Sequence, residues 1–309
     1  MSKGRRLSVI DLGTNTFHLL LVEVRDGGWT FLFRKRIFVN LAEDSIDHIG
    51  DAAWSRGMAA LAEFALLIRQ YDIENVRAVG TEALRRADNA VTFLREVKDR
   101  FSLEVQVVDG DQEAAWIAAG VMAAMADQKG TYLVMDIGGG SVEFILIQHG
   151  NIRFSQSYPI GVAVLYERFH DTEPISQQAL SAMDAFLTSQ LRDLLNLLEQ
   201  YPDCALVGAS GTFEVIEAIV SEHPGSAPIS MFQPAAFQPI YQRLLGQDLA
   251  ARLADPAIPP SRARYLVVAM HLVAFVLNRV HNDLAFISAY AMKEGIITEM
   301  IENLDKAKQ

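Results

Sequence analysis

Cysteine is almost missing from this 309-residue chain: Cys204 is the only one. A single thiol rules out an intrachain disulfide and a cysteine-built zinc site. Positive charge is in deficit. The 27 Lys and Arg stand against 38 Asp and Glu, a formal net charge of −11. That excludes a general nucleic-acid binder, which needs a basic footprint for the phosphate backbone, but not an anion held at one local site. Long apolar runs are lacking too. The longest, Leu266–Leu277, is interrupted by His271 and falls short of the ~20 residues that span a bilayer. The opening MSKGRRLSVIDLG has no apolar core of the signal-peptide kind. Proline is sparse, and only Pro256–Pro260 is dense enough to mark a loop. The expectation is a cytoplasmic protein without membrane or nucleic-acid partners.

Half of the residues are hydrophobic and 21% are charged, the balance of a soluble folded chain. The length suits about two domains, each able to bury a core without disulfide or metal. Leu7–Ile10 and Phe17–Val24 are apolar stretches flanking Asp11-Leu12-Gly13-Thr14-Asn15, the pattern of a hairpin. Trp29–Val39 continues as strand. Met58, Leu61, Phe64, Ala65 and Ile68 share one helical face and predict a helix over Asp51–Tyr71. Val76–Val79 reads as strand, Asn89 as the cap of a helix through Arg100, Glu104–Val108 as strand and Gln112–Met125 as helix. The pattern then restarts with strands at Tyr132–Ile137, Val142–Gln148 and Asn151–Ser157. A long helix over Ser176–Glu199 and a strand at Ala205–Val207 follow. Helices are expected over Tyr241–Leu253, Arg262–Val280 and Ala291–Leu304, with a strand at Leu284–Ile287. Strands alternating with helices define the α/β class.

The chain repeats itself. Asp11-Leu-Gly-Thr-Asn-Thr-Phe-His-Leu-Leu-Leu aligns without a gap on Asp136-Ile-Gly-Gly-Gly-Ser-Val-Glu-Phe-Ile-Leu, an offset of 136 − 11 = 125 residues. Two such hairpins at domain spacing point to two related domains with their turns facing a shared cleft.

Glycine lets backbone N–H groups converge on an anion, because no Cβ blocks the approach. Gly138, Gly139, Gly140 and Ser141 have this character. So, less strongly, do Gly13, Thr14 and Asn15. Gly208, Ser210, Gly211 and Thr212 lead from a strand into a helix, whose N-terminus adds its own partial positive charge. Each turn alone reads more readily as a tight structural turn; three in one chain, two of them related by the repeat, favour phosphate. Acids stand beside them: Asp11 and Asp136 end strands, and Glu143 follows the second turn. Two like unit charges ~4 Å apart repel by about 4 kcal/mol at an effective dielectric near 20. Carboxylates at a phosphate site therefore call for a cation, and oxygen donors favour Mg²⁺. The alternative is that these aspartates only cap their turns.

Glu113 falls in the first turn of its predicted helix. There it can serve as a base toward water, although position alone favours a carboxylate placed by the helix dipole. Arg85 and Arg86 follow Gly80-Thr81 and offer guanidinium forks for phosphate. Arg34-Lys35-Arg36 could steer an anion, but a solvated strand edge is the plainer reading. His18 reads as a core histidine.

Taken together, the segments VIDLGTNTFHLLLVEV (9–24), RGMAALAEF (56–64), VGTEALRRADNA (79–90), VDGDQEAAWIAAGV (108–121), VMDIGGGSVEFIL (134–146), IGVAVLYERF (160–169), LVGASGTFEVI (206–216) and AMKEGII (291–297) resemble the exopolyphosphatase / guanosine pentaphosphate phosphohydrolase (Ppx/GppA) family. The resemblance implies two ribonuclease-H-like, actin-like domains with an interdomain cleft. Their expected extents are residues 1–125 and 126–309, with the closing helix, about residues 291–309, able to pack back on the first. It implies Mg²⁺-assisted release of the terminal phosphate from inorganic polyphosphate, or of the 5′ γ-phosphate from guanosine pentaphosphate. By motif it makes Glu113 the catalytic base and Arg85 a clamp on phosphate oxygen. Asp136 and Glu143 become metal-associated acids, and the three glycine turns become phosphate loops; Asp11 stays a metal candidate on its position alone. It makes a homodimer a candidate assembly and the chain the short, two-domain form. A sensor without chemistry and an ATP-using relative are the other classes. Three departures bear on loop shape and substrate: Gln112 where an acid is usual, Leu41-Ala42-Glu43-Asp44 where a glycine is usual, and Tyr290-Ala291-Met292-Lys293-Glu294-Gly295.

Overall fold

The computed structural model describes residues 4–25, 28–125, 129–221 and 223–306. Chain contacts divide it into two units, residues 1–120 with 292–309, and residues 121–291. In the first, β1 (Arg5–Leu12), β2 (Thr16–Arg25) and β3 (Gly28–Phe38) precede α1 (Asp51–Gln70), β4 (Asn75–Gly80), α2 (Glu82–Arg86), α3 (Ala90–Phe101), β5 (Val105–Val107) and α4 (Gly110–Ala124). The sheet order is β3-β2-β1-β4-β5, antiparallel through the first three strands and parallel from β1 to β5.

The second unit starts with β6 (Thr131–Ile137), β7 (Val142–Gln148) and β8 (Asn151–Tyr158). Then come α5 (Val162–Phe169), α6 (Gln177–Gln190), α7 (Arg192–Leu198), β9 (Ala205–Ala209) and α8 (Gly211–Val220). It ends with β10 (Ile229–Phe232), α9 (Pro234–Leu245), α10 (Leu249–Ala254), α11 (Pro260–Ala263), α12 (Leu266–Leu277) and β11 (Ala285–Ser288). Its sheet order is β10-β11-β9-β6-β7-β8. Three antiparallel strands followed by two parallel ones occur in both sheets, so the repeat seen in the sequence is a repeat of topology. Even an irregularity is shared. The β2/β3 ladder shifts register between Leu21 and Val22, and the β7/β8 ladder between Leu146 and Ile147, again 125 residues apart.

One face of the first sheet, with Ile10, Leu12, Phe17, Leu19 and Leu21, packs on Leu61, Phe64, Phe93 and Val97 of α1 and α3. Burying each such side chain contributes about 1.5–3 kcal/mol. The last helix, α13 (Met292–Lys306), returns to β1 of this unit. It crosses α4 at Gly295, where a Cβ would stand 1.9 Å from the Trp116 carbonyl oxygen. Only glycine admits that approach. Trp116 Nε1 donates to Glu299 at 2.7 Å, so α13 fixes the helix that carries Glu113.

In the second unit every residue of α12 is buried, which explains its unbroken apolar run. His271 is tolerated there because both ring nitrogens are matched, Nδ1 to the Tyr241 hydroxyl at 2.6 Å and Nε2 to Asp184 at 3.1 Å. Among the described residues no helix is long and apolar enough to cross a membrane.

Some expected elements differ. The helix expected over Ser176–Glu199 is interrupted at Leu191; nothing in the side chains explains the break. Ser176 caps it as its residue type suggests, accepting from the Ala179 N–H at 3.1 Å. Tyr241–Leu253 is two helices, because Asp248 accepts from the Ala251 N–H and starts a new one. Asn89 does begin α3, but its side chain makes no cap. Its amide instead pairs with both backbone groups of Ile49, tying down the loop before α1.

Candidate active site

Three backbone bonds shape the second unit's glycine turn. Gly161, Val162 and Ala163 donate their N–H groups to the carbonyls of Gly140, Gly138 and Gly139 at 3.0, 3.0 and 2.9 Å. These are donors that the start of α5 would otherwise leave unsatisfied. In a trans peptide the N–H points opposite the C=O. With all three carbonyls turned toward α5, the N–H groups of Gly139, Gly140 and Ser141 point away from it together. Convergent N–H groups of this kind have the geometry of a nest, a concavity suited to an anion. Gly161 is the steric condition: a Cβ there would lie 2.4 Å from Gly139 backbone atoms and 2.5 Å from Gly140.

The first unit builds its turn the same way from different chain. Val39 and Asn40 both donate to the Asn15 carbonyl at 2.9 Å, and Leu41 donates to that of Thr14 at 2.7 Å. The segment after the third strand thus holds the turn in each copy. Here Asn40 does so from a left-handed conformation, φ 52°, a region that asparagine enters more readily than most residues. Gly13 and Gly138 match too, each N–H donating across its turn to Thr16 or Ser141.

Register places one row of side chains across the three antiparallel strands beside each turn. In the first unit the row is Asp11, His18, Arg36. In the second it is Asp136, Glu143, Ser157. Directly opposed residues of a ladder share a face, so one row combines an acid with two basic groups and the other has two acids and a hydroxyl. Ser157 Oγ donates to Glu143 Oε1 at 2.6 Å, and Glu143 is 2% exposed. Among the described residues no group of three or more His, Cys, Asp or Glu could hold a metal. The Asp136–Glu143 donor set still fits Mg²⁺, which takes one or two carboxylates and completes its shell with water and substrate phosphate.

The third turn joins β9 to α8. Ser210, at φ 71°, makes the corner, and its hydroxyl donates to the Ile137 carbonyl at 3.1 Å. Gly211 opens the helix with the Arg262 guanidinium pressed against it, since a Cβ on Gly211 would fall 1.7 Å from Arg262 Nη2. The α11 segment bearing Arg262 is anchored by Arg252, which has no exposed surface. Arg252 donates to the carbonyls of Ala263 and Gln247 at 2.8 and 2.6 Å and to Glu173 at 2.8 Å. Nothing in the sequence points to Arg262, which lies some fifty residues from the turn it touches.

Glu113 is 7% exposed in the first turn of α4. The helix is capped by Asp109, whose carboxylate accepts from the Gln112 N–H at 2.8 Å. Arg85 on α2 reaches Glu113 Oε2 at 2.9 Å, the Val108 carbonyl at 2.7 Å, and Glu82 through Nε and Nη2 at 3.1 and 2.7 Å. Burial would lower the Arg85 pKa, but the hydrogen bonds and charges of Glu113 and Glu82 outweigh it and the pKa is raised. Glu113 therefore faces a permanent cation. The four hydrogen bonds leave at most one of the five guanidinium N–H groups for a phosphate. Arg86, the other candidate of the pair, pairs with Asp47. Sequence reading named Glu113 and Arg85 separately. It missed Glu82, Gly161, Asn40 and Arg262, and only Gly161, a glycine just after a strand, left a visible signal.

A duplicated α/β fold with convergent N–H groups at one glycine turn, a second glycine turn opening a helix and an arginine-held carboxylate has the chemistry that suits a phosphorylated ligand. The Ppx/GppA phosphatase family model matches residues 20–304, and the chain belongs to that family. It is 27% identical over 305 residues to a Haemophilus influenzae protein provisionally named exopolyphosphatase, covering 98% of this chain and 94% of that one. It is 28% identical to the guanosine-5′-triphosphate,3′-diphosphate pyrophosphatase of Vibrio campbellii, covering 96% of this chain but only 59% of that protein's length. The crystal structure of an exopolyphosphatase from Cytophaga hutchinsonii superposes with a TM-score of 0.93 at 29% identity, over 97% of this chain and 98% of that one. The Aquifex aeolicus family member shares the fold at TM-score 0.80 and 22% identity, over 97% and 98%. The expected fold, two actin-like α/β domains, is that of these relatives.

Proposed function

We propose that the chain is an exopolyphosphatase, hydrolysing the terminal phosphoanhydride bond of inorganic polyphosphate by in-line attack of water. The observation that carries this reading is the Glu113–Arg85 pair, a nearly buried carboxylate held in one orientation by a charged guanidinium. In this reading the N–H groups of Gly139, Gly140 and Ser141 take phosphate oxygens, and the turn from Gly208 to Thr212 adds the N-terminus of α8 and the charge of Arg262. The Gly13–Asn15 turn is the weaker counterpart. Glu113 orients a water and accepts its proton. Arg85 aims Glu113 more than it grips substrate. Asp136 and Glu143 would hold Mg²⁺, which when bound offsets phosphate charge and supports the departing oxygen. Asp11, whose row contains no second acid, is the lesser metal candidate.

Guanosine pentaphosphate 5′-phosphohydrolysis is the second reading, favoured by the name and 28% identity of the Vibrio relative. Both substrates are polyanions that a cytoplasmic enzyme would meet. The test is phosphate release with Mg²⁺ from long-chain polyphosphate, guanosine pentaphosphate and ATP in parallel. Release that Glu113→Gln abolishes is the expected result. Near-normal kcat in that variant would remove Glu113 as the base, and tight binding without release would make the protein a sensor.

A further inference from the structure

Arg85 serves two carboxylates, and only one of them belongs to the catalytic reading. Its Nη1 donates to Glu113 at 2.9 Å and to the Val108 carbonyl at 2.7 Å. Its other edge, Nε with Nη2, donates at 3.1 and 2.7 Å to a single oxygen of Glu82. The two acids reach this guanidinium from different places. Glu82 opens α2, and Glu113 stands in the first turn of α4. Both side chains are largely buried. A second cation, Arg86, stands 4.0 Å from the other oxygen of Glu82 but donates at 3.0 and 2.7 Å to Asp47. The hydrogen bonds of Glu82 with these two arginines thus go to Arg85.

This arrangement matters to a base. A guanidinium hydrogen-bonded to a carboxylate favours its ionised form, and so does the N-terminus of a helix. Glu113 meets both, and each makes it less ready to take a proton from water. Asp109 and Asp111 precede it at the start of α4, but both are exposed and their charges are screened by solvent. Glu82 is the largely buried charge of opposite effect among these neighbours. Two carboxylates and one guanidinium sum to −1, whereas Glu113 and Arg85 alone sum to zero. With Glu82 present, one unit of negative charge is left for a proton to neutralise, and the two carboxylates titrate as a coupled pair.

We propose that Glu82 is a positioning residue for hydrolysis: it binds the far edge of Arg85, aims the guanidinium at Glu113 and offsets its charge, so that Glu113 is held in place and stays basic enough to take the proton of the attacking water. The proposal rests on the reading of Glu113 as the base and deepens it. In that step the water oxygen bonds to the terminal phosphorus, its proton passes to Glu113, and the phosphoanhydride bond breaks with its electron pair on the shortened chain.

The test is Glu82→Gln, which keeps the shape of the side chain and one acceptor oxygen and removes the charge. Thermal melting checks that the fold is kept, and Glu82→Asp is the control that keeps the charge. Loss of a negative charge a few ångströms away should move the acid limb of kcat against pH down by roughly one unit. At neutral pH kcat should fall about threefold, because only part of the lost basicity is expressed in the transition state, and KM should not rise. Glu82→Asp should bring the limb back toward wild type. A raised KM with the limb in place would make Glu82 merely structural and overturn the proposal. A second measurement needs no turnover. Glutamate ¹³Cδ resonances are followed against pH, that of Glu113 being assigned by its loss in Glu113→Gln, and its midpoint should fall by the same amount in Glu82→Gln. If the wild type releases no phosphate, or Glu113→Gln keeps its kcat, the reading of Glu113 as the base fails, and the influence of Glu82 on Glu113 stands or falls on this titration. An unchanged midpoint overturns the proposal.

Discussion

Gly161→Ala separates two explanations of one glycine. Its φ is −61°, ordinary for any residue, so the backbone gives alanine no penalty. By unfolded-chain entropy alone the change should stabilise the protein by about 0.4–1 kcal/mol. Sterics oppose this. The new methyl would lie 2.4 Å from the Gly139 carbonyl group, against backbone that cannot rotate away. Overpacking of this kind costs about 1–3 kcal/mol. Separating α5 from the turn also weakens three backbone bonds, each worth about 1 kcal/mol. The opposing terms leave a net loss of about 2–4 kcal/mol. At about 2–4 °C per kcal/mol for a unit of this size, Tm should fall by roughly 5–15 °C. The same displacement turns the N–H groups of the nest off their target, so the KM for polyphosphate should rise even at temperatures where the variant is folded. Differential scanning calorimetry and initial-rate kinetics would measure the two effects. An unchanged or higher Tm with wild-type KM would refute the close approach of Gly161 to the turn and the nest built on it.

Other outcomes follow from the same structure. Arg85→Lys keeps a charge but cannot serve Glu82, Val108 and Glu113 at once. The expected result is a fall in kcat of about 10- to 100-fold with KM nearly constant; a loss confined to KM would return Arg85 to the role of phosphate clamp. Asp136→Asn should raise the Mg²⁺ concentration needed for half-maximal rate, and an unchanged metal titration would count against Asp136 as a ligand. Stability should weaken in mild acid. Burial lowers the His271 pKa, and the charge and hydrogen bond of Asp184 restore it only in part. The unfolded chain then binds a proton near pH 6.5 that the folded chain refuses, so stability present at pH 7 and above is lost as pH falls through about 6.5. His170 shifts the same way, also through burial. Melting curves from pH 8 to 5 should be steeper for wild type than for His271→Gln; equal slopes would sink the assignment.

What the sequence disclosed was whatever is local or periodic. The 125-residue repeat was visible because the strand, acid, glycine and hydroxyl that make each turn are neighbours in the chain. The register shifts and the Gly13 and Gly138 cross-turn bonds show how closely the two copies agree. The helix at α1 was legible from its apolar face. Long-range partnerships were not. Arg85 and Glu113 are 28 residues apart, and no spacing rule connects them. Arg262 meets Gly211 only because a wholly buried arginine anchors its segment. Asn89 had the right type and position for a cap, yet a distant loop took its side chain, so the local rule lost to a tertiary one. The two rows differ in sequence already at His18 and Glu143, but their third members appeared only when the third strand was placed, since Arg36 and Ser157 carry no sequence mark of equivalence.

The return of α13 to β1 has a consequence for how the protein is born. The unit of residues 121–291 is one uninterrupted stretch, whereas the other is made from both ends of the chain. On the ribosome β1 emerges early, yet the helix that packs on it and braces α4 through Gly295 is synthesised only after the whole of the 121–291 unit. The middle of the chain can mature while its beginning waits. Glu113 then acquires its final bearing only once α13 has emerged, so a product stalled before it would carry the glycine turns without a correctly seated Glu113.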